Sequence, residues 1–128
     1  MIKLVIFDLA GTVIDEQNIV YKTLYNCIKE EKIDITFDQV LQWGAGKEKS
    51  QALRDVLRQY SIPIHIKQQE SIFQKFIGEL KTVYKDLDVR PMPGSELLFN
   101  RLRQKKILIG FTTGYNREIA DLLLQKLN

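Results

Sequence analysis

Lys3-Leu4-Val5-Ile6-Phe7-Asp8-Leu9-Ala10-Gly11-Thr12-Val13 is the stretch on which the fold turns. It opens as an unbroken apolar run, the pattern of a strand buried on both faces of a parallel sheet. A carboxylate, a glycine and a threonine follow at its C-terminal end, the edge at which open α/β sheets bind ligands. A carboxylate buried without partners is costly, so Asp8 is expected at the strand tip beside metal, phosphate or backbone N–H groups. Gly11 permits a tight turn that brings backbone N–H groups toward an anion. An ordinary first strand and turn would share this pattern, so the rest of the chain has to decide.

The chain has 128 residues, room for one domain or for a core with a small cap. Apolar residues make up 45% and charged residues 27%, the balance of a soluble globular protein. The net charge of +3 comes from Lys and Arg interspersed with acids. That balance does not indicate nucleic-acid binding and is compatible with an anionic substrate. The single cysteine, Cys27, excludes an internal disulfide and a Cys-rich zinc site. It falls on an apolar helical face, as buried filler would. No apolar run approaches a membrane span, and the first one is short and stopped by Asp8, unlike a signal peptide. No membrane partner is expected, and a cytoplasmic location is the default.

Beyond the opening stretch, Asp15 or Asn18 can cap a helix over Ile19–Lys32, with Val20, Leu24, Cys27 and Ile28 at helical spacing. Thr36 caps a second helix through Val40, Leu41 and Trp43, interrupted by Gly44 and Gly46. A third carries Ala52, Leu53, Val56, Leu57 and Tyr60. Pro63 closes it, and Ile62 to Ile66 form a connection. A fourth helix carries Ile72, Phe73, Phe76, Ile77, Leu80, Val83 and Tyr84. Residues 15–88 therefore form a helical cap inserted into a core made of 1–14 and 89–128. The return, Val89-Arg90-Pro91-Met92-Pro93-Gly94, is stiffened by prolines and suits a hinge. A helix over Ser95–Gln104 would turn Leu97, Leu98 and Leu102 inward. Ile107–Phe111 is a second short buried strand, ending at Thr112-Thr113-Gly114. Asn116 then caps a last helix with Ile119, Ala120, Leu123, Leu124 and Leu127. Strand, helix, strand, helix with short links predicts an α/β fold with parallel pairing.

Phe7-Asp8-Leu9-Ala10-Gly11-Thr12-Val13 resembles motif I of the haloacid dehalogenase superfamily, usually Asp-x-Asp-x-Thr. Ala10 replaces the second Asp, which is similar to the phosphonatase branch, that of phosphonoacetaldehyde hydrolase. The resemblance implies a Rossmannoid parallel-sheet core with an inserted helical cap. It makes Asp8 the nucleophile that forms an aspartyl phosphate. The Asp replaced by Ala10 would have protonated the leaving oxygen in phosphatases. Gly110-Phe111-Thr112-Thr113-Gly114-Tyr115-Asn116-Arg117-Glu118 resembles motif II, making Thr113 the phosphate-binding hydroxyl, followed by Gly114. Taken alone, a hydroxyl before a glycine and a helix could be a phosphate cradle or a mere strand cap.

Trp43-Gly44-Ala45-Gly46-Lys47-Glu48-Lys49-Ser50-Gln51-Ala52-Leu53 is not a nucleotide P-loop, because Leu41 and Glu48 stand where that motif needs Gly and Ser or Thr. It resembles the cap specificity loop of the superfamily. In phosphonatases a lysine here forms a Schiff base with the substrate aldehyde, an electron sink for cleaving carbon from phosphorus. Lys49 is the candidate and Lys47 the reserve; both could equally be solvated surface lysines. Ala45, Gln51 and Ala52 depart from the Met and the Asp-His pair of true phosphonatases, and the only histidine, His65, lies in another connection. The implied activity is therefore that of a phosphonatase-like hydrolase acting on a small phosphonate or phosphate ester.

The resemblance also implies Mg2+, held by Asp8 and the Ala10 carbonyl. A magnesium ion takes about six oxygen ligands, and the family's motifs III and IV, which complete the set, have no counterpart before Asn128. The 128 residues thus match only the N-terminal portion of the family pattern, as a truncated chain would. Two adjacent strands leave apolar edges that invite pairing, so a homo-oligomer is among the expectations. The alternative function is that of a catalytically inactive remnant acting by association through this edge.

Overall fold

The computed structural model describes residues 1–60 and 63–127. In chain order the elements are β1 (Leu4–Asp8), β2 (Ile14–Asp15), α1 (Ile19–Glu30), α2 (Phe37–Gly44), α3 (Lys49–Gln59), α4 (Ile66–Asp86), β3 (Arg90–Pro91), α5 (Ser95–Gln104), β4 (Leu108–Thr112) and α6 (Arg117–Gln125). Within the expected connection after α3, Ile62 lies outside the described residues, and Ile66 already begins α4. The chain divides into two compact units, Met1–Gln17 with Leu87–Asn128, and Asn18–Asp86.

In the first unit β1 and β4 pair in parallel, in register from Leu4↔Leu108 to Asp8↔Thr112. Helix α5 seats Phe99 against this ladder: its ring meets Phe7 edge-on at 5.3 Å and Phe111 at 5.9 Å between centroids. The strands are not buried on both faces, which corrects the expectation drawn from their apolar runs. Exposure alternates along β1, with Ile6 at 60%, and Leu108 of β4 is 68% exposed. Successive side chains point to opposite sheet faces, and among the described residues only one face is well covered. The same reason corrects α5, where Leu97 and Leu98 are exposed and Phe99 is the residue turned to the sheet.

Antiparallel β2 and β3 pair Ile14 with Pro91 and Asp15 with Arg90, and Met92 N–H donates to the Val13 carbonyl at 2.8 Å. Residues 15–17 and 87–88 lie within the first unit. Strands of two residues are too short to show periodicity.

The second unit is the helical segment, its interior made by residues such as Leu24, Ile28, Leu53, Leu57, Phe76 and Leu80. Its helices start by three different devices. Asn18 precedes α1 in the left-handed region (φ 58°) with no side-chain cap, and Asp15 instead accepts from Gln17 N–H at 3.0 Å, so neither caps α1 as expected. Thr36 and Gln39 form a reciprocal capping box on α2, with bonds of 3.3 and 2.8 Å. Thr36→Ala is expected to destabilise the chain by about 1 kcal/mol, measured as a lower urea midpoint with an unchanged slope. Glu48 caps α3, accepting from Ser50 and Gln51 N–H at 2.9 and 3.0 Å.

Cys27 is buried on α1, and its thiol donates to Glu79 Oε2 at 3.3 Å. Burial, then the hydrogen bond and negative charge of Glu79, push this thiol up to about 12 from 9.0. No helix among the described residues is long and apolar enough to cross a membrane.

Candidate active site

At the end of β1 the fully buried Leu9 anchors a turn. Its N–H extends the ladder to the Thr112 carbonyl at 3.1 Å, and its carbonyl accepts from Val13 N–H at 3.0 Å and Ile14 N–H at 3.2 Å. Gly11 closes this turn at φ 79°, where a side chain would be strained. Its N–H donates to the Ile14 carbonyl at 2.8 Å and so serves the turn itself. The bridge between Ala10 and Ile14 uses Gly11 N–H and the Leu9 carbonyl, which leaves the Ala10 carbonyl unengaged by any described residue.

Asp8 is the last residue of β1 and is exposed, as a strand-tip carboxylate should be. Thr12 Oγ1 donates to Asp8 Oδ2 at 2.7 Å. One carboxylate oxygen is thereby held, and Oδ1 is left to react or to bind a cation. Motif spacing alone assigned no task to Thr12; the turn that returns it over Asp8 supplies one.

Because Asp8 pairs with Thr112, the segment Thr113-Gly114 leaves β4 at the same sheet edge. Thr113 Oγ1 accepts from Tyr115 N–H at 3.2 Å, which leaves the hydroxyl proton to be donated. Asn116 Oδ1 accepts from Ile119 N–H at 3.0 Å and opens α6, whose N-terminal dipole favours an anion nearby. Asp8, Ala10, Thr113 and Gly114 are thus gathered at the C-terminal edge of the two parallel strands.

The candidate lysines belong to the second unit. Glu48 starts α3, which makes Lys49 its first residue. Lys49 is 7% exposed; its Nζ donates to the Lys47 carbonyl at 2.9 Å and to Tyr21 Oη at 3.2 Å, and lies 4.9 Å from the Tyr21 ring centroid. Lys47 is drawn elsewhere, pairing with Asp55 Oδ2 at 2.6 Å. That hydrogen bond, and one from Gln51, hold the Asp55 carboxyl below the usual carboxylate range. Lys49 and Lys47 are therefore not interchangeable, and neither is a freely solvated surface lysine. Tyr21, absent from the motif-based set, also accepts from Gly46 N–H at 3.1 Å. His65 is exposed just ahead of α4.

The pattern described as "haloacid dehalogenase-like hydrolase" matches residues 2–128. This chain belongs to that family. No curated protein matches the chain, but solved structures do. A hydrolase from Pseudomonas syringae superposes with a TM-score of 0.84 at 19% identity, over 98% of this chain and 56% of the other. A predicted phosphoglycolate phosphatase from Haemophilus somnus gives 0.82 at 14% identity, over 99% and 58%. CbbY from Rhodobacter sphaeroides in complex with xylulose-(1,5)bisphosphate gives 0.77 at 14%, over 99% and 57%. These likenesses establish the α/β fold of haloacid dehalogenase-like hydrolases, with its parallel sheet and helices. The chain spans a little over half the length of these structures.

Proposed function

We propose that this haloacid dehalogenase-like chain carries the nucleophile and the phosphate cradle for phosphoryl transfer to Asp8, followed by hydrolysis. The observation that supports this most is the edge where Asp8, oriented by Thr12, shares the strand ends with Thr113 and Gly114. Asp8 Oδ1 attacks phosphorus, forming an oxygen–phosphorus bond as the bond from phosphorus to the leaving group breaks. Water then cleaves the aspartyl phosphate, restoring the carboxylate. The Thr113 hydroxyl and the start of α6 hold the equatorial oxygens, on which charge is spread in the transition state.

Mg2+ would be held by Asp8 and the Ala10 carbonyl. No group of three acidic, His or Cys side chains stands ready for a metal among the described residues. The donors present suit an ion that takes its remaining ligands from phosphate and water, as magnesium does with one or two carboxylates. When bound, magnesium neutralises charge on the phosphoryl oxygens.

The substrate we propose is a small phosphate ester or phosphonate, met by Lys49 at its far end, in the cytoplasm. Ala10 cannot donate a proton, so the leaving group either needs none at this place or receives it from another donor. A Schiff base between Lys49 and an aldehyde would satisfy the first condition, and Ala10 in place of the second Asp is the feature that favours the phosphonatase-like branch.

The test is phosphate release from phosphonoacetaldehyde and from phosphoglycolate, with and without magnesium, followed by borohydride treatment. Magnesium-dependent release from either is expected, and a borohydride-fixed adduct on Lys49 marks the phosphonatase route. Release without that adduct marks simple recognition by Lys49. A folded chain that releases phosphate from neither contradicts the proposal.

A second reading has its own observation: Leu4, Ile6, Leu97, Leu98 and Leu108 are exposed apolar residues on β1, α5 and β4. A chain acting by association through this core edge would sediment as a dimer or larger, as a homo-oligomer or with a partner, and would lack activity.

A further inference from the structure

We propose that the outer edge of β4 takes up an extended segment of a partner polypeptide, apolar at alternate positions and carrying a carboxylate for Arg103. This rests on the second reading above, association through the core edge, and names the strand and the chemistry of its partner. Among the described residues β4 pairs with β1 alone. Leu108 N–H donates to the Lys3 carbonyl and the Thr112 carbonyl accepts from Leu9 N–H, so these residues turn their polar groups toward β1. Successive residues of a strand turn their N–H and C=O groups to opposite sides, which leaves those of Ile109 and Phe111 facing outward. Such an edge is a template for a further strand.

Two cavities flank this edge, both within the first unit. One, of about 390 Å3, is lined by Phe99 and Arg103 of α5, Phe111 of β4 and Leu124 of α6. The other, of about 320 Å3, is lined by Ile107, Leu108 and Ile109 in succession, with Phe99, Arg103 and Phe111 again. Consecutive residues on one wall mean that this cavity runs beside the strand and not over one face of it. A segment laid along β4 would bring alternate side chains to these cavities, the arrangement by which strand addition gains specificity. Their walls are mainly apolar, and Leu108 is 68% exposed, so aliphatic side chains fit them. Arg103 is the cation common to both. It donates to Asn100 Oδ1 at 3.5 Å and pairs with no carboxylate among the described residues. Glu96 lies two turns before it on the wall of the first cavity, which fixes the partner's carboxylate at the Arg103 end.

The probe is a capped peptide, acetyl-Val-Thr-Val-Thr-Glu-amide, added to the isotope-labelled full chain, with amide exchange read by NMR residue by residue. Saturable binding that slows exchange at the Ile109 and Phe111 N–H groups is expected. Replacing the peptide's Glu by Lys is expected to weaken binding about fivefold, the scale of one partly exposed ion pair. Arg103→Glu is expected to reverse that preference, which a merely structural role for Arg103 would not do. No protection of the two amides, or binding indifferent to both charge changes, overturns the proposal. Slow exchange at the two amides in the chain alone, quickening on dilution, puts a second copy on the edge and also overturns it. Sedimentation of the chain alone tests the second reading separately: a dimer whose Ile109 and Phe111 amides exchange freely keeps that reading and overturns the proposal.

Discussion

Asp8→Asn is expected to lower phosphate release by about ten-thousandfold or more, the scale seen when a catalytic nucleophile is removed, while the chain stays folded. An amide is too weak a nucleophile to attack phosphorus, and it adds no charge with which to hold a cation. The fold should tolerate the change. Asp8 is exposed, and the Thr12 hydroxyl that donates to its Oδ2 at 2.7 Å can donate equally to an amide oxygen. The measurement is phosphate release beside the far-ultraviolet circular dichroism spectrum. A variant that retains more than a few per cent of the activity would show that another group attacks phosphorus.

The second large effect concerns Cys27. Its thiol is buried against Glu79 and pushed up to about 12, some three units above 9.0. At pH 9 the native thiol should carry about five-hundredfold less thiolate than a free cysteine, and alkylation by iodoacetamide should slow at least in proportion. Unfolding in urea should restore the ordinary rate. The same shift makes stability depend on alkaline pH. With the folded value raised above the unfolded one, the contribution is fully present below pH 9 and is lost as pH rises toward 12. Each unit in that window removes about 1.4 kcal/mol. Urea midpoints should therefore fall between pH 9 and pH 12 in the wild type and fall less in Cys27→Ala. Rapid alkylation of the native chain at pH 9 would contradict the burial of this thiol.

What the sequence disclosed depended on the range of the interactions involved. The helices of residues 18–86 were legible because their apolar residues recur every three to four positions and because Thr36 is a good cap, as Asn116 is for α6. Helix α5 was placed to the residue, yet its buried face was misassigned. Leu97 and Leu98 look inward by hydrophobicity, and only the aromatic contacts of Phe99 with Phe7 and Phe111 settle its rotation. Strand β1 was legible as a strand, but its exposure was not, since an apolar run does not say whether both faces have a covering layer. The β2–β3 pair was invisible because two residues carry no period.

For the site, the motif resemblance picked out Asp8, Ala10, Thr113, Gly114 and Lys49 by spacing. It was silent on contacts made between residues far apart in the chain. Tyr21 lies 28 positions from Lys49, and no local pattern links the two. The pairing of Lys47 with Asp55, eight positions along, spans the start of α3. Gly11 was legible as a turn residue, but the destination of its N–H, the Ile14 carbonyl, depends on the path of the following three residues.

The central claim is that Asp8 accepts a phosphoryl group. The most direct measurement is peptide mass spectrometry of the chain quenched in acid during incubation with phosphoglycolate and magnesium, and in a parallel reaction with phosphonoacetaldehyde. The account predicts one phosphoryl group on the peptide that contains Asp8, removed by hydroxylamine and absent from Asp8→Asn. Phosphate released with no such adduct at any quench time, or an adduct that persists in Asp8→Asn, would contradict it.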